Sequence, residues 1–388
     1  MENIKDKNII YADHAATTYV LPEVLEEMLP YFTDKFGNPS SIYTLGRDSK
    51  SAIELARKRI AKVLNCNLEE IYFTSGGSEA DNLIIRGIAH ANKDKGNHII
   101  TTKIEHSAVI NTCKDLEKEG FTVTYLDVDK TGKIDLNELL HSITDKTILV
   151  SIMFANNEIG TIQPIYEIGK ITKFKQVFFH TDAVQAVGSM HIDVKEMGID
   201  ALSLSSHKFY GPKGVGAAYI KSEIKFEHEI AGGHQECSKR AGTENVPAIV
   251  GMGKAIQIAY ENLDNEVKRI TEIRDYAIKQ IEDNMPGAIL NGDRINRLPS
   301  NINVSFKNIS GSALCTVLDM HGICASSGSA CNSMENRPSH VLAAMGISPE
   351  YLYGSLRLSF GKCNTFEDVD YIVSCIKKCI NKENLRLK

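Results

Sequence analysis

The sequence predicts an α/β protein with a large unit built on a mostly parallel, seven-stranded sheet, followed by a smaller α+β unit. Three observations predict it. Short apolar, β-branched runs alternate with helical periodicity through the first two thirds of the chain; the pattern changes after GTENVPAIVG (242–251); and 388 residues exceed what one compact core usually holds, at roughly 150 residues per domain.

LPEVLEEMLPYF (21–32) and SAIELARKRIAKVL (51–64) place apolar residues three and four apart, the spacing of amphipathic helices. IYFTS (71–75), HIITT (98–102), FTVTYL (121–126), ILVSIMF (148–154), VFFHTDA (177–183), ALSLSS (201–206) and VGAAYI (215–220) read as short buried strands. Strands separated by helices imply a largely parallel sheet covered on both faces. A charged helical stretch at 255–284 then leads to SNINVSF (300–306), a cysteine- and glycine-rich segment, SLRLSF (355–360) and a last helix.

Composition narrows the function. With 24% charged and 43% hydrophobic residues the chain is globular, and 44 basic against 49 acidic side chains leave a formal charge of −5. No basic block offers a footprint for nucleic acid or an anionic membrane, and the lysine-rich KKCINKENLRLK (377–388) reads as a solvated helix face. No apolar run reaches the roughly 18 residues that span a bilayer, and the charged MENIKDKNII (1–10) lacks the core of a signal peptide, so a cytoplasmic protein is expected. Nine scattered cysteines without a CxxC argue against a disulfide framework and against an intrinsic metal site.

Several motif-like segments lack the right context. DVDKTGKIDLNE (127–138) nearly fits a calcium loop, but a strand-like run precedes it where a helix is needed; it reads as a turn at Thr131-Gly132 and a helix capped by Asp135, with Glu138 three residues on. HEIAGGH (228–234) has the wrong spacing for zinc, GPKGVG (211–216) lacks the lysine–hydroxyl pair of a P-loop, and GMGKAI (251–256) lacks the third glycine of a dinucleotide fingerprint.

A more coherent constellation remains. An apolar strand ends at Thr181-Asp182, with Gln185 three residues on, where open parallel sheets place their ligands. On that segment alone Asp182 is equally a helix cap. A second strand runs into Ser205, His207 and Lys208, and a lysine desolvated after a buried strand is readied for Schiff-base chemistry. An aspartate in the same site is the partner a pyridinium nitrogen needs. FTSGGSEADN (73–82) ends a strand in glycines, including Gly77, and opens a helix at Ser78; it is either an anion cradle or an ordinary strand-to-helix turn. His106, after another strand, is placed to stack on a cofactor or to be a satisfied core histidine.

Together these segments resemble the cysteine desulfurases of the NifS/IscS type, within the class-V aminotransferase family of fold-type I pyridoxal phosphate enzymes. YADHAATT, FGNPSSIYTLGR, FTSGGSEADN, EHSAVI, FANNEIGTIQP, HTDAVQAVG, SSHKFYGPKGVG, KRAGTENVPAIVG, SSGSACNS and SLRLSFG follow the family's order over nearly the full length. The resemblance implies a large cofactor domain at 16–258 and a small domain of 1–15 with 259–388. It also implies pyridoxal 5′-phosphate held covalently by Lys208, which then moves a substrate proton, with Asp182 on the ring nitrogen and Gln185 on the phenolic oxygen. His106 would stack on the ring and serve in acid–base steps. Gly77, Ser78, Ser205 and His207 would hold the phosphate, with Thr243 reaching it from the second subunit of a homodimer. Asn157 and Arg357 match the positions that bind the carboxylate of L-cysteine, Asn157 also lying against the cofactor. An arginine's planar fork suits a carboxylate, although a buried strand arginine is equally a structural ion pair.

Cys331 lies in SSGSACNSMENRPSH (326–340), a run of small and polar residues of the kind a mobile loop uses. The resemblance makes it the nucleophile that takes sulfur from L-cysteine as a persulfide, leaving alanine. It would carry that sulfur to an iron–sulfur scaffold protein, where it could serve as a transient iron–sulfur ligand, or to another acceptor as in tRNA thiolation. Rival readings are a selenocysteine lyase, another fold-type I enzyme such as an aminotransferase, and a non-catalytic assembly scaffold. His14, Tyr19 and Cys237 depart from the residues common in the family, and His14 is expected to add a titrating group beside the site.

Overall fold

The computed structural model describes residues 9–328 and 338–380. β1 (Ile10–Tyr11) stands apart, and the seven strand-like runs form one sheet: β2 (Ile71–Thr74), β3 (His98–Thr102), β4 (Thr122–Leu126), β5 (Thr147–Ser151), β6 (Phe178–Asp182), β7 (Ala201–Ser205) and β8 (Gly216–Ile220). Their order is β2-β8-β7-β6-β5-β3-β4. The ladders from β7 to β4 are parallel, while β8 runs antiparallel to both of its neighbours. The connection from Ser205 to Gly216 is too short for a parallel crossover, which takes about a dozen residues or more, so the chain must turn straight back.

The helices of at least seven residues are α1 (Pro22–Met28), α2 (Thr44–Leu64), α3 (Gly77–Ala91), α4 (Ser107–Lys118), α5 (Leu136–Ser142), α6 (Ile165–Lys175), α7 (Val246–Glu261), α8 (Leu263–Asn284), α9 (Gly311–Met320) and α10 (Phe366–Ile380). On one sheet face Ile53, Ile60 and Leu64 of α2, Ile168 of α6 and Ile256 of α7 share a core with Val150, Phe179 and Leu202. On the other, Ile84, Ile85 and Ile88 of α3 and Val109 and Leu116 of α4 pack with Ile99, Leu149 and Ala218. Both faces are thus apolar, which is why these strands read as continuous hydrophobic runs. α7 lies close to α2 because Gly253 has no side chain; a Cβ there would meet Ala56 at 2.6 Å.

A separate core joins α8, α9 and α10 to β10 (Asn301–Ser305) and β12 (Ser355–Ser359), through Ile273, Ile302, Leu314, Leu358 and Ile372 among others. β9 (Ile289–Leu290), β10 and β12 form an antiparallel sheet, and β11 (Ile323–Cys324) pairs parallel with β1. The N-terminal strand is therefore bound to the C-terminal part of the chain.

Two local expectations need correction. The helix expected at 255–284 begins at Val246 and is interrupted at Asn262, whose φ of −131° and ψ of 26° are not helical. Pro247 sits in the first turn, where its missing N–H costs nothing, behind the Asn245 cap. Asp135 caps α5 as expected, accepting from the Asn137 N–H at 2.7 Å, but Glu138 reaches the Asp127 N–H at 3.5 Å rather than the cap's own amide. Among the described residues no helix is long and apolar enough to cross a membrane.

Candidate active site

Asp182 is the last residue of β6, and Lys208 closes a single 3-10 turn (Ser206–Lys208) directly after β7. Both therefore stand at the carboxyl edge of the parallel strands. The Asp182 carboxylate accepts from the Val184 N–H at 2.9 Å. Lys208 Nζ donates to the carbonyls of Ala15 at 2.5 Å and Ala16 at 2.9 Å. Gln185 donates to the Ala15 carbonyl at 3.1 Å, and His207 Nδ1 lies 3.0 Å from the Thr17 hydroxyl. Thr18 donates to the His207 carbonyl through both its N–H and its hydroxyl, each at 2.9 Å. YADHAATT thus has a physical role that spacing did not reveal: its backbone crosses the strand ends and holds Gln185, His207 and Lys208 in place.

The glycine turn enters the same place. β2 ends at Thr74 and α3 starts at Gly77, where an added Cβ would meet Val184 Cγ2 at 2.7 Å and Ser205 Cβ at 3.5 Å. The first turn of a fifteen-residue helix, with Ser78 exposed on it, is therefore pressed against the Asp182–Gln185 turn and the end of β7. The unbonded amides of such a helix start could hold an anion beside Ser205 and His207. The donors suit a phosphate ester, and the adjoining amine and carboxylate suit an aldehyde-bearing pyridine ring, so these residues fit pyridoxal phosphate.

His106 is the N-cap of α4, its Nδ1 accepting from the Ala108 N–H at 3.2 Å. Its ring and the carboxylates of Asp182 and Asp81 bring their polar atoms within 4.8 Å of one another. Burial pushes the Asp182 carboxyl up, against the downward pull of His106, the Val184 N–H and Lys208. Asp81 carries no signal in the sequence beyond being one turn into α3, and only the fold brings it here.

Arg357, in β12, is 2% exposed. It donates to Asp13 Oδ1 at 2.8 Å and to the Asn157 carbonyl at 3.1 Å, while its buried Nε has no hydrogen bond among the described residues. The ion-pair alternative is therefore realised, and Asn157 meets Arg357 through its backbone. Ser326 donates to Asp13 Oδ2 at 2.8 Å, and Ser339 donates to Glu158 at 2.5 Å. Cys331, between these two anchors in sequence, lies outside the described residues.

Thr243 is exposed and follows a turn with three successive left-handed residues, Glu236, Cys237 and Ser238. Arg57 of α2 pins that turn with bonds of 2.9 and 2.8 Å to the Glu236 carboxylate. His14 does not behave as the expected titrating group: burial pushes its imidazole down to about 4, so it stays neutral through the physiological range. Tyr19 places its hydroxyl 3.1 Å from Cys363 Sγ. Burial also pushes the thiols of Cys66, Cys113 and Cys315 up to about 12, which keeps them protonated and unreactive.

The aminotransferase class-V family model matches residues 10–372. The chain is 56% identical over 375 residues to the cysteine desulfurase IscS of Clostridium botulinum strain Hall, covering 96% of this chain and 94% of that relative. This chain belongs to the cysteine desulfurase family. Among solved structures, this cysteine desulfurase family member is similar to a NifS-like protein with a TM-score of 0.90 and 40% identity, covering 96% of this chain and 99% of that one. It is also similar to SspA in complex with cysteine, with a TM-score of 0.80 and 38% identity over 90% of this chain and 98% of SspA. The mixed seven-stranded sheet with its flanking helices is the fold-type I arrangement expected of the family.

Proposed function

We propose that this chain is a pyridoxal phosphate-dependent cysteine desulfurase that converts L-cysteine to L-alanine and carries the released sulfur on Cys331. The observation that carries the reading is the meeting of Lys208, Asp182 and the α3 N-terminus at one sheet edge, in a chain 56% identical to a cysteine desulfurase. Gly77, Ser78, Ser205 and His207 hold the phosphate, with Thr243 of a second copy. Asp182 holds the ring nitrogen, Gln185 the phenolic oxygen, and His106 and Asn157 lie against the ring. When bound, the cofactor withdraws electrons from the substrate's α carbon and so weakens its bonds.

Arg357, fixed by Asp13, orients the substrate carboxylate with Asn157. Lys208 removes the proton from the substrate's α carbon, and His106 serves in proton transfer beside it. The Cys331 thiolate attacks the substrate sulfur; a sulfur–sulfur bond forms, the carbon–sulfur bond breaks, and its electron pair stays with the carbon skeleton, which is protonated to alanine. Cys331 then passes the sulfur to an iron–sulfur scaffold protein or another acceptor, including tRNA thiolation, and takes any iron–sulfur ligand role only transiently. We read the active protein as a homodimer. We divide it into a cofactor domain at 16–258 and a small domain of 1–15 with 259–388, a division supported by the separate cores. We place it in a reducing, cytoplasmic compartment, because its nine cysteines are scattered and include no CxxC.

Mass spectrometry after L-cysteine treatment tests the reading: one added sulfur on the Cys331 peptide is expected. Wild-type rates of alanine and sulfide release by Cys331→Ala would reject the persulfide route and favour an aminotransferase-like or lyase reaction. A selenocysteine assay on the same variant separates the lyase.

A further inference from the structure

Behind Asp182 lies a second carboxyl that the reading above does not use. Asp81 stands one helical turn into α3, is 1% exposed, and has a polar atom within 4.8 Å of both the Asp182 carboxylate and the His106 ring. Two carboxylates so close and so dry repel strongly, and such pairs retain one proton between them.

The surroundings decide which partner keeps it. Burial pushes the Asp182 carboxyl up as well, but the Val184 N–H at 2.9 Å, His106 and Lys208 favour its charge. Asp81 faces His180, with Nε2 at 3.6 Å from its Oδ1, but that ring brings no cation. His180 is fully buried, burial pushes its imidazole down to about 3, and its two nitrogens lie 2.9 Å from the hydroxyls of Ser151 and Ser203. The Ser203 hydroxyl favours a charged Asp81; burial, Asp182 and the buried Glu105 oppose it and hold its carboxyl well above the usual range. Asp81 Oδ1 has no hydrogen bond among the described residues, which costs a neutral carboxyl less than a charged carboxylate.

We propose that Asp81 is a positioning residue acting through Asp182: the two carboxyls share one proton, Asp81 carries it, and Asp182 is left as the single negative charge facing the cofactor's ring nitrogen. The inference rests on the pyridoxal phosphate reading and assigns a residue that reading leaves idle. It predicts an asymmetry between two chemically identical substitutions. Asp81→Asn replaces a neutral group by a neutral group, whereas Asp182→Asn removes the charge the ring nitrogen needs.

Full-length protein, its two variants and added pyridoxal phosphate suffice for the test, with cofactor affinity read from the absorbance of the bound cofactor between about pH 6 and pH 9.5 and folding checked by circular dichroism. Near neutral pH Asp81→Asn should bind within about threefold of wild type, while Asp182→Asn should bind at least about tenfold more weakly. Rising pH draws on the shared proton, and a pair that loses it gains a second negative charge near the ring nitrogen, so the affinity ratio should drift in favour of wild type as pH rises. A folded Asp81→Asn that loses the cofactor as badly as Asp182→Asn, or a ratio that drifts in favour of Asp81→Asn as pH rises, overturns the proposal. An Asp81→Asn that does not fold also overturns it, since a neutral amide should replace a neutral carboxyl. Wild-type protein that binds no pyridoxal phosphate instead defeats the underlying functional reading.

Discussion

Arg357 has a structural partner in Asp13 and, in the proposed function, a substrate carboxylate to bind. Its Nη2 holds Asp13 at 2.8 Å, so a lysine there keeps the charge but loses the planar fork. Losing one charge-assisted contact costs about 1.5–3 kcal/mol, so Arg357→Lys should raise KM for L-cysteine by roughly ten- to a hundredfold and lower kcat much less. Steady-state kinetics with the two constants resolved will check that split. His14 gives a prediction on stability. Burial lowers its pKa from 6.5 to about 4 in the folded chain, so between those values the unfolded chain binds the extra proton. Stability is unaffected above pH 6.5 and falls as pH drops toward 4. His14→Asn removes this loss, so relative to wild type it should gain about 1–2 kcal/mol on going from pH 7.5 to pH 5, measured by urea unfolding. Asp182, Lys208 and Gly77 were legible because each follows a strand end. Asp13 and Asp81 were not: one finds its arginine 344 residues away, and the other is an unremarked polar position on a helix.

At the scale of elements, strands were readable because burial on both faces makes each a continuous apolar run, and all seven runs join one sheet. Direction was not readable: β8 is as apolar as its neighbours, and only the short return from β7 makes it antiparallel. The α3 start yields a prediction. Gly77 leaves no room for a Cβ, and the atom it would meet is a short β-branched Val184 methyl that cannot swing far. Gly77→Ala should therefore push the helix N-terminus from the Asp182 turn and weaken pyridoxal phosphate binding by about tenfold or more, with a smaller loss of stability. Equilibrium titration of the cofactor together with a thermal melt will separate the two effects.

Over the whole molecule, one group of apolar side chains has no cover among the described residues. Leu25 and Leu29 of the α1 region, Phe32, Phe36, Ile42 and Tyr43 are all exposed, Phe36 at 67% and Ile42 at 89%. Scattered apolar residues on a surface are ordinary, but so many within twenty positions form a contiguous stretch of sequence that water solvates poorly. The site also expects Thr243 from a second copy, and Thr243 is exposed beyond a turn that the buried Arg57–Glu236 pair anchors. A homodimer that buries the 25–43 stretch and exchanges Thr243 satisfies both needs. Sedimentation should therefore give a dimer for wild type, while Ile42→Glu combined with Phe36→Glu should shift it toward monomer. Because the phosphate then loses a donor, cofactor affinity should fall by roughly ten- to a hundredfold in the same variant, the cost of a charged hydrogen bond. Thr243→Ala should reproduce the affinity loss while remaining a dimer. A monomeric double variant that binds pyridoxal phosphate as tightly as wild type would show that each chain completes its own phosphate site.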